Sequence, residues 1–164
     1  MFRRTILFAA PLLVAAISTQ SSAGSWRSYH NDRFGATANV PAGWIPQPPP
    51  ENGDGLIFQS PDGRATITVS GILATGAAME EVAERLTTGQ GEKITYSATK
   101  RGAVVLSGLR GDTVFYRRSI ASCHETIWNS IAIEYPSADK LLYDAVVRRV
   151  SISLRNGRGW MCAP

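Results

Sequence analysis

The sequence predicts an α+β domain in which a largely antiparallel β-sheet is flanked by about two helices. Three observations lead to this prediction: a hairpin signature at residues 52–71, four strand-like runs between 94 and 135, and two segments with helical periodicity. The four runs are separated by turns much shorter than the dozen or so residues that a parallel crossover needs. Consecutive strands are therefore expected to be antiparallel neighbours.

The first 23 residues are typical of a secretory signal peptide. Arg3 and Arg4 form a positive segment, residues 6–17 are apolar, and residues 21–23 are small, as at a cleavage site. The apolar run is shorter than the roughly 20 residues of a membrane-spanning helix. We therefore expect cleavage and export to the periplasm or the medium; an uncleaved N-terminal anchor is the alternative.

The mature chain is expected to form one α+β domain over residues 24–154, followed by a tail over residues 155–164. Loss of two basic residues leaves 15 of the 17, against 13 acidic ones, a net charge of +2. This charge is weak evidence for a polyanionic partner, and no nucleic acid is expected.

The local basic pairs are Lys100–Arg101, Arg117–Arg118 and Arg148–Arg149. Adjacent residues point to different faces, so we expect solvated charge. The alternative is a cationic face toward anionic lipid headgroups or cell-wall polymer.

The sequence predicts strands and loops in the first half of the mature chain. Residues 26–29 predict a first strand, and the alternating pattern of 34–40 predicts a half-buried second one. Four prolines within 46–50 predict an extended surface segment, followed by a loop at 51–55. The apolar runs 56–58 and 65–69 flank Ser-Pro-Asp-Gly, which indicates a hairpin with a type I turn and a glycine bulge.

Two helices and a meander follow. Apolar residues of helical spacing predict a helix at about 77–88, buried through Met79, Val82, Ala83 and Leu86. Its acidic residues are expected to face solvent: Glu80, Glu81 and Glu84. The four strands are predicted at 94–99, 103–109, 113–121 and 126–135. A second helix is expected to begin near Ser137 and end near Val150, buried through Leu141, Leu142, Ala145 and Val146.

The chain has two cysteines, Cys123 and Cys162. An even number of cysteines in a protein expected to be exported to an oxidising compartment favours a disulfide. The bond would close a loop of about 40 residues and fasten the glycine-rich tail. The competing interpretation is a thiol nucleophile or metal site at residues 123–125. Three consecutive residues of a strand cannot converge on one point, so the disulfide is preferred.

A family resemblance is carried by YHNDRFG at 29–35 and VPAGW at 40–44. These segments resemble the opening of the PsbP-like family, which enters through an aromatic–Asn–Arg-Phe-Gly strand and an IPxGW turn; the later order of elements is also similar. The resemblance implies an α/β/α sandwich and binding rather than catalysis. Members include an extrinsic photosystem subunit, a factor that binds a small nuclear GTPase, and many exported bacterial proteins of unknown role. No functional residue is carried over to this chain, and the disulfide and tail lie outside the shared pattern.

Motifs for catalysis are not found in the sequence. It has no nucleophile elbow, no zinc-protease helix motif and no phosphate-binding loop. The segments 52–55 and 61–64 are explained by turn chemistry rather than calcium binding. Of the two histidines, His30 lies in a polar turn and His124 follows Cys123. We therefore predict no catalytic residue, no metal and no cofactor.

The favoured hypothesis is an exported, monomeric, non-enzymatic module that binds a protein or an envelope component. Loop 43–56 and nearby aromatic residues are expected to form its partner surface, which comprises Trp26, Tyr29, Trp44, Pro48, Asp54 and Trp160. The competing interpretation is that these rings cap the ends of the core. Two other functions stay open: a periplasmic hydrolase or small-molecule-binding protein with a scattered site, and a protein that serves only envelope integrity.

Overall fold

The computed structural model describes residues 24–162, so the predicted signal peptide lies outside the described residues. Within that range the chain forms β1 (Trp26–His30), β2 (Ala36–Pro41), β3 (Ile45–Pro46), β4 (Gly55–Gln59), β5 (Thr66–Leu73), α1 (Ala78–Arg85), β6 (Glu92–Lys100), β7 (Ala103–Arg110), β8 (Thr113–Ser122), β9 (Ile127–Pro136), a 3-10 turn (Ser137–Asp139), α2 (Lys140–Ser153) and β10 (Arg155–Asn156). None of the helices in this range is both long and apolar enough to cross a membrane.

The strands form two antiparallel sheets. The larger sheet has the order β3-β4-β5-β9-β8-β7-β6, and the smaller one has the order β1-β2-β10. The predicted meander is present as β6 to β9, and each strand lies within two residues of its predicted bounds. The predicted α+β fold with a largely antiparallel sheet is thus confirmed.

The β4–β5 hairpin turns at the predicted Ser60–Gly63 segment, but the strand register is continuous and has no bulge. The backbone N–H of Gly63 donates to the carbonyl of Ser60 at 2.9 Å, and Gly63 has a positive φ of +73°. The Asp62 carboxylate accepts bonds from the Ser60 hydroxyl and from Arg64. These bonds stabilise the ionised form and lower the pKa of Asp62 to about 2.

The main core lies between the larger sheet and a second layer made of α2 and the smaller sheet. Fully buried residues come from both layers: Ala36, Ala38 and Val40 of β2, Ile67 and Val69 of β5, Ile131 and Ile133 of β9, and Val150 of α2. Helix α1 contacts β7, and its Arg85 lies 4.5 Å above the ring of Trp128. Trp128 and Ile131 point to opposite faces of β9, so the two helices flank the larger sheet.

Helix α2 buries a face that overlaps the predicted one only at Val146, which is half-buried against the core. Leu141 is 92% exposed and Leu142 is also exposed, whereas Tyr143 and Val150 are buried. The Tyr143 ring stacks on Tyr135 with centroids 4.9 Å apart. The buried positions keep helical spacing but start at a tyrosine, which the prediction did not count among the apolar positions. The helix also continues to Ser153, beyond the expected end near Val150.

Helix α1 also corrects the prediction, since Met79 is 86% exposed and Glu81 is buried. The Glu81 carboxylate accepts backbone N–H groups of Thr75 and Gly76 at 2.7 and 2.9 Å and pairs with Arg85 at 2.8 Å. Burial acts to raise the pKa of Glu81, but these partners outweigh it and lower the pKa. A carboxylate that binds the backbone at the helix start therefore takes the buried position.

Candidate functional site

The turn between β1 and β2 holds the proline loop, which we define as residues 46–55. The Asn31 side chain accepts the N–H of Phe34 and donates to the carbonyl of Gly53, both at 2.8 Å. The Arg33 guanidinium donates to the Asp54 carboxylate at 2.7 Å. It also donates to the carbonyl of Asn52. The Asn and Arg that carried the family resemblance therefore fix the position of this loop.

The same turn binds the C-terminal tail. The backbone N–H groups of Trp160 and Met161 donate to the carbonyls of Asp32 and Arg33 at 3.0 and 2.9 Å. The Arg33 guanidinium also lies 5.7 Å from the centre of the Trp160 ring. One short turn thus connects the proline loop with the end of the chain.

Gly35 is required where the tail crosses this turn. Its φ is +78°, and the N–H of Gly157 donates to its carbonyl at 2.6 Å. A Cβ at position 35 would overlap the carbonyl oxygen of Gly157 and would lie only 2.9 Å from the carbonyl carbon. Any side chain here would displace the tail.

Cys123 and Cys162 lie at disulfide distance, with their Cα atoms 5.6 Å apart, which supports the predicted pairing. The pairing joins the tail to the turn between β8 and β9. In that turn Cys123, His124 and Glu125 all have positive φ, a conformation that is uncommon for non-glycine residues. A cavity of about 870 Å³ lies beside the cysteines, with His124 and Trp160 among its lining residues.

A groove of about 620 Å³ lies between the β1–β2 turn and the proline loop; we call it the proline groove. Tyr29 lines one wall, while Pro48, Pro49 and Leu56 line the other. The Tyr29 ring packs edge-on against Phe58 with centroids 5.3 Å apart, and burial raises the pKa of its hydroxyl. The groove therefore has a half-buried aromatic ring facing exposed prolines.

The structure brings together four of the six residues predicted for the partner surface. Tyr29 and Pro48 line the proline groove. Asp54 belongs to the loop that forms the groove, and its carboxylate pairs with Arg33. Trp160 is 65% exposed, and its ring centre lies 5.7 Å from the same Arg33 guanidinium. Arg33 is thus the residue that connects the last two.

Trp44 does not belong to the predicted partner surface, and Trp26 lies apart from the proline groove. Trp44 is only 7% exposed, and its ring packs edge-on against Tyr143 at 6.3 Å, so it caps the core as the competing interpretation held. The backbone N–H of Trp44 donates to the carbonyl of Pro41 at 3.1 Å, and this bond closes a tight turn. Trp26 is half-buried and lies under the Arg149 guanidinium at 4.7 Å, so it belongs to the surface of α2.

His30 lies beside an acid and a hydroxyl, the neighbours that a hydrolytic site would need. Its Nδ1 is 2.8 Å from the Thr37 hydroxyl, and its Nε2 is 3.7 Å from the Asp32 carboxylate. Nε2 is also 2.9 Å from the carbonyl of Arg158, which can only accept, so Nε2 carries a proton. Thr37 is buried, which removes its hydroxyl from any substrate in solution. The histidine thus links the smaller sheet to the tail.

Glu92, at the start of β6, is the second buried carboxylate, with a side chain only 1% exposed. Two guanidinium nitrogens of Arg117 bind it, and the N–H of Gly89 donates to it at 2.8 Å. The bonds from Arg117 lower the pKa of Glu92 despite its burial. This pair joins the edge strand β6 to β8, which is two strands away in the sheet. Over residues 24–162, His, Cys, Asp and Glu side chains do not gather in groups of three or more that would bind a metal ion.

Comparison with known proteins gives matches to solved structures. No protein-family model and no curated protein sequence matches the chain. The solution structure of cyanobacterial PsbP (CyanoP) from Synechocystis is 12% identical, with a TM-score of 0.60 over 87% of this chain and 98% of that one. The chain has the PsbP-like fold. The Ran-binding protein Mog1p of Saccharomyces cerevisiae is 9% identical, with a TM-score of 0.55 over 82% of this chain and 97% of that one. A point mutant of Mog1 gives a TM-score of 0.57 at 10% identity, over 85% of this chain and all of that one.

In this PsbP-like fold, the two segments that carried the resemblance have structural roles. Asn31, Arg33 and Gly35 hold the proline loop and the tail, and Trp44 packs in the core. The residues that carry the sequence resemblance therefore belong to the framework that supports the groove.

Proposed function

We propose that the protein is a non-enzymatic binding module whose proline groove takes an extended segment of a partner protein. The observation that carries this proposal is the groove itself, which has a volume of about 620 Å³ and is lined by Tyr29, Pro48 and Pro49. Mog1p, which shares the fold, is described as a Ran-binding protein, so the PsbP-like fold is compatible with protein binding. Because one fold serves many functions, the argument depends on the groove.

The walls of the groove are rigid, which favours binding. Proline has a fixed φ and no N–H, so Pro48 and Pro49 lose little conformational entropy when a partner is bound. The loop that carries them is held by the bonds of Asn31 and Arg33. A rigid aromatic ring opposite prolines suits a peptide in extended conformation, as in other proline-lined recognition sites.

The proposed setting is the periplasm or the medium, with the chain as a monomer. The N-terminal pattern of residues 1–23 supports export, although it lies outside the described residues. The proximity of Cys123 and Cys162 supports an oxidising compartment, since such pairs persist there.

The test is affinity capture with tagged protein, mild crosslinking and mass spectrometry. We compare the wild type with a Pro48→Glu/Pro49→Glu variant, which places two charges on the apolar wall. The matched control is Pro61→Glu, because Pro61 is also an exposed proline but lies in the β4–β5 turn outside the groove. A saturable partner that is captured by the wild type and the control, and lost by the double variant, supports the proposal.

Two results contradict the proposal. One is a partner that the double variant captures as well as the wild type does. The other is the absence of any saturable partner when the wild-type protein is shown to be folded. A hydrolase with a scattered site would be favoured instead by turnover that disappears in a His30→Gln variant, since His30 has an acid and a hydroxyl beside it.

A further inference from the structure

Helix α2 has apolar residues on two opposite faces, although only one face packs against the domain. Tyr143 and Val150 are buried, while a second set of large and small apolar residues faces solvent. We define the outer surface of α2 as Leu141, Leu142, Ala145, Arg148, Arg149 and Ile152. Leu141 and Ile152 are 92% and 73% exposed and lie on the same side of the helix. A helix with apolar residues all round normally has a second contact.

Positive charge is interspersed with these apolar residues. Within residues 24–162, Arg148, Arg149 and Arg155 make no ion pair with an acidic side chain. The acid on this side, Asp144, is bound by Lys140 at 2.7 Å. The outer surface of α2 and its border therefore carry three uncompensated guanidinium groups.

A groove of about 730 Å³ runs along the helix between α2 and the smaller sheet. Arg148, Arg149 and Arg155 line it together with Leu141 and Ile152. Guanidinium groups bind phosphate oxygens in pairs, so this groove has the chemistry of a phosphate site next to protruding aliphatic side chains.

We propose that the outer surface of α2 binds the anionic surface of a phospholipid membrane. The arginines contact lipid phosphates, and the leucine and isoleucine side chains enter the boundary of the acyl chains, as in interfacial amphipathic helices. Trp26, beneath Arg149, is at the edge of this surface, where an indole ring suits the membrane interface. The 14 residues of α2 span about 21 Å, and they lie flat against the headgroups.

A membrane fits these observations better than an acidic protein does. The apolar side chains are separate and protrude from a convex helix, whereas a protein partner is usually bound by a packed central cluster. Lipid accepts protruding aliphatic groups at any spacing, provided that basic residues lie beside them. This surface is distinct from the proline groove, so the two proposals stand on different residues.

The test is co-sedimentation with vesicles of phosphatidylcholine alone and of phosphatidylcholine mixed with phosphatidylglycerol. The wild type is expected to bind the anionic vesicles, and binding is expected to weaken as salt is added. Arg148→Gln/Arg149→Gln is expected to lower the affinity about 25-fold, because each of the two basic residues near the surface contributes a factor of roughly five. The segment 1–23 is kept identical in all variants, so a difference between them belongs to α2.

The matched control is Lys100→Gln/Arg101→Gln, which removes the same charge at the exposed turn between β6 and β7. It is expected to bind as the wild type does. Leu141→Ser/Ile152→Ser tests the apolar part and is expected to weaken binding, and thermal unfolding confirms that each variant is folded. The Pro48→Glu/Pro49→Glu variant retains vesicle binding, which separates this proposal from the proposed function.

Three outcomes overturn the proposal. The first is equal binding to neutral and anionic vesicles, and the second is equal loss in the α2 variant and the Lys100/Arg101 control. The third is that something other than a membrane covers the outer surface of α2. This would be shown by self-association that the α2 substitutions abolish. It would also be shown by an acidic protein that crosslinks to the wild type but not to the α2 variant, while vesicles do not bind.

Discussion

Gly35 is the residue whose replacement has the clearest structural consequence. Its φ of +78° and the nearby Gly157 carbonyl leave no room for a Cβ. Gly35→Ala is therefore expected to lower the free energy of unfolding by about 2–4 kcal/mol, from backbone strain and displacement of the tail. Urea unfolding measures the change.

The matched control for this prediction is Gly43→Ala. A Cβ at position 43 would meet nothing within 4 Å, so its effect is expected to be no more than about 0.5 kcal/mol. Equal effects at the two glycines would contradict the role assigned to Gly35.

Substitutions of two tryptophans test which ring belongs to the core and which lies at the surface. Trp44→Ala is expected to cost about 3–5 kcal/mol of stability, because the buried ring packs against Tyr143. Trp160→Ala removes an exposed ring with one cation–π contact and is expected to cost about 1 kcal/mol or less. Denaturant unfolding of both variants is the measurement, and a larger loss at Trp160 would refute the assignment.

Acid stability depends on three carboxylates with lowered pKa values: Asp62, Glu81 and Glu92. The folded state binds these protons more weakly than the unfolded state, whose carboxylates titrate near about 4. Their contribution is therefore complete above that pH and is lost as pH falls through the folded-state values. Thermal unfolding from pH 7 to pH 3 should show a flat region followed by a decline below about pH 4.5.

A Glu81→Gln/Glu92→Gln variant distinguishes this explanation from general acid denaturation. It should be less stable than the wild type at pH 7 and should lose less stability on acidification. A decline as steep as that of the wild type would exclude the two buried carboxylates as its cause.

At the scale of elements, helix α2 offers a direct test of which face is buried. Val150→Ala is expected to cost about 2 kcal/mol, since Val150 is fully buried in the main core. Leu141→Ala removes a larger side chain from an exposed position and is expected to change stability by no more than about 0.5 kcal/mol. Equal losses would mean that the face predicted from the sequence is buried after all.

The strands were predictable because they depend on local signals. The hairpin at residues 52–71 is marked by its Ser-Pro-Asp-Gly turn, and the meander by turns too short for any other connection. The helix positions were predictable within a few residues for the same reason.

The buried faces of the helices and most of the site were not predictable in this way. The burial of Glu81 depends on backbone groups of Thr75 and Gly76, and that of Tyr143 on stacking with Tyr135. The proline groove exists because Asn31 and Arg33 reach residues 52–54, about 20 positions away. These contacts are tertiary, and periodicity carries no information about them.

At the scale of the whole molecule, the cysteine pair holds two distant parts of the chain together. Cys123 and Cys162 are 39 residues apart, so Cys123→Ser/Cys162→Ser is expected to lower stability by about 4 kcal/mol in the chain-entropy model. Hydrogen exchange is the second measurement, because the amides of Trp160 and Met161 should lose protection first. Unchanged protection would mean that backbone bonds alone hold the tail.

The smaller sheet has a consequence for the order in which the chain folds. Its central strand, β2, pairs with β1 just before it and with β10 near the C-terminus, where Arg155 faces Thr37. The β1–β2 pair can form early, but its open edge stays unpaired until residues 155–156 have left the ribosome. Closure of so distant a contact is slow compared with hairpin formation. A nascent chain of this protein therefore cannot complete the smaller sheet until β10 has been synthesised.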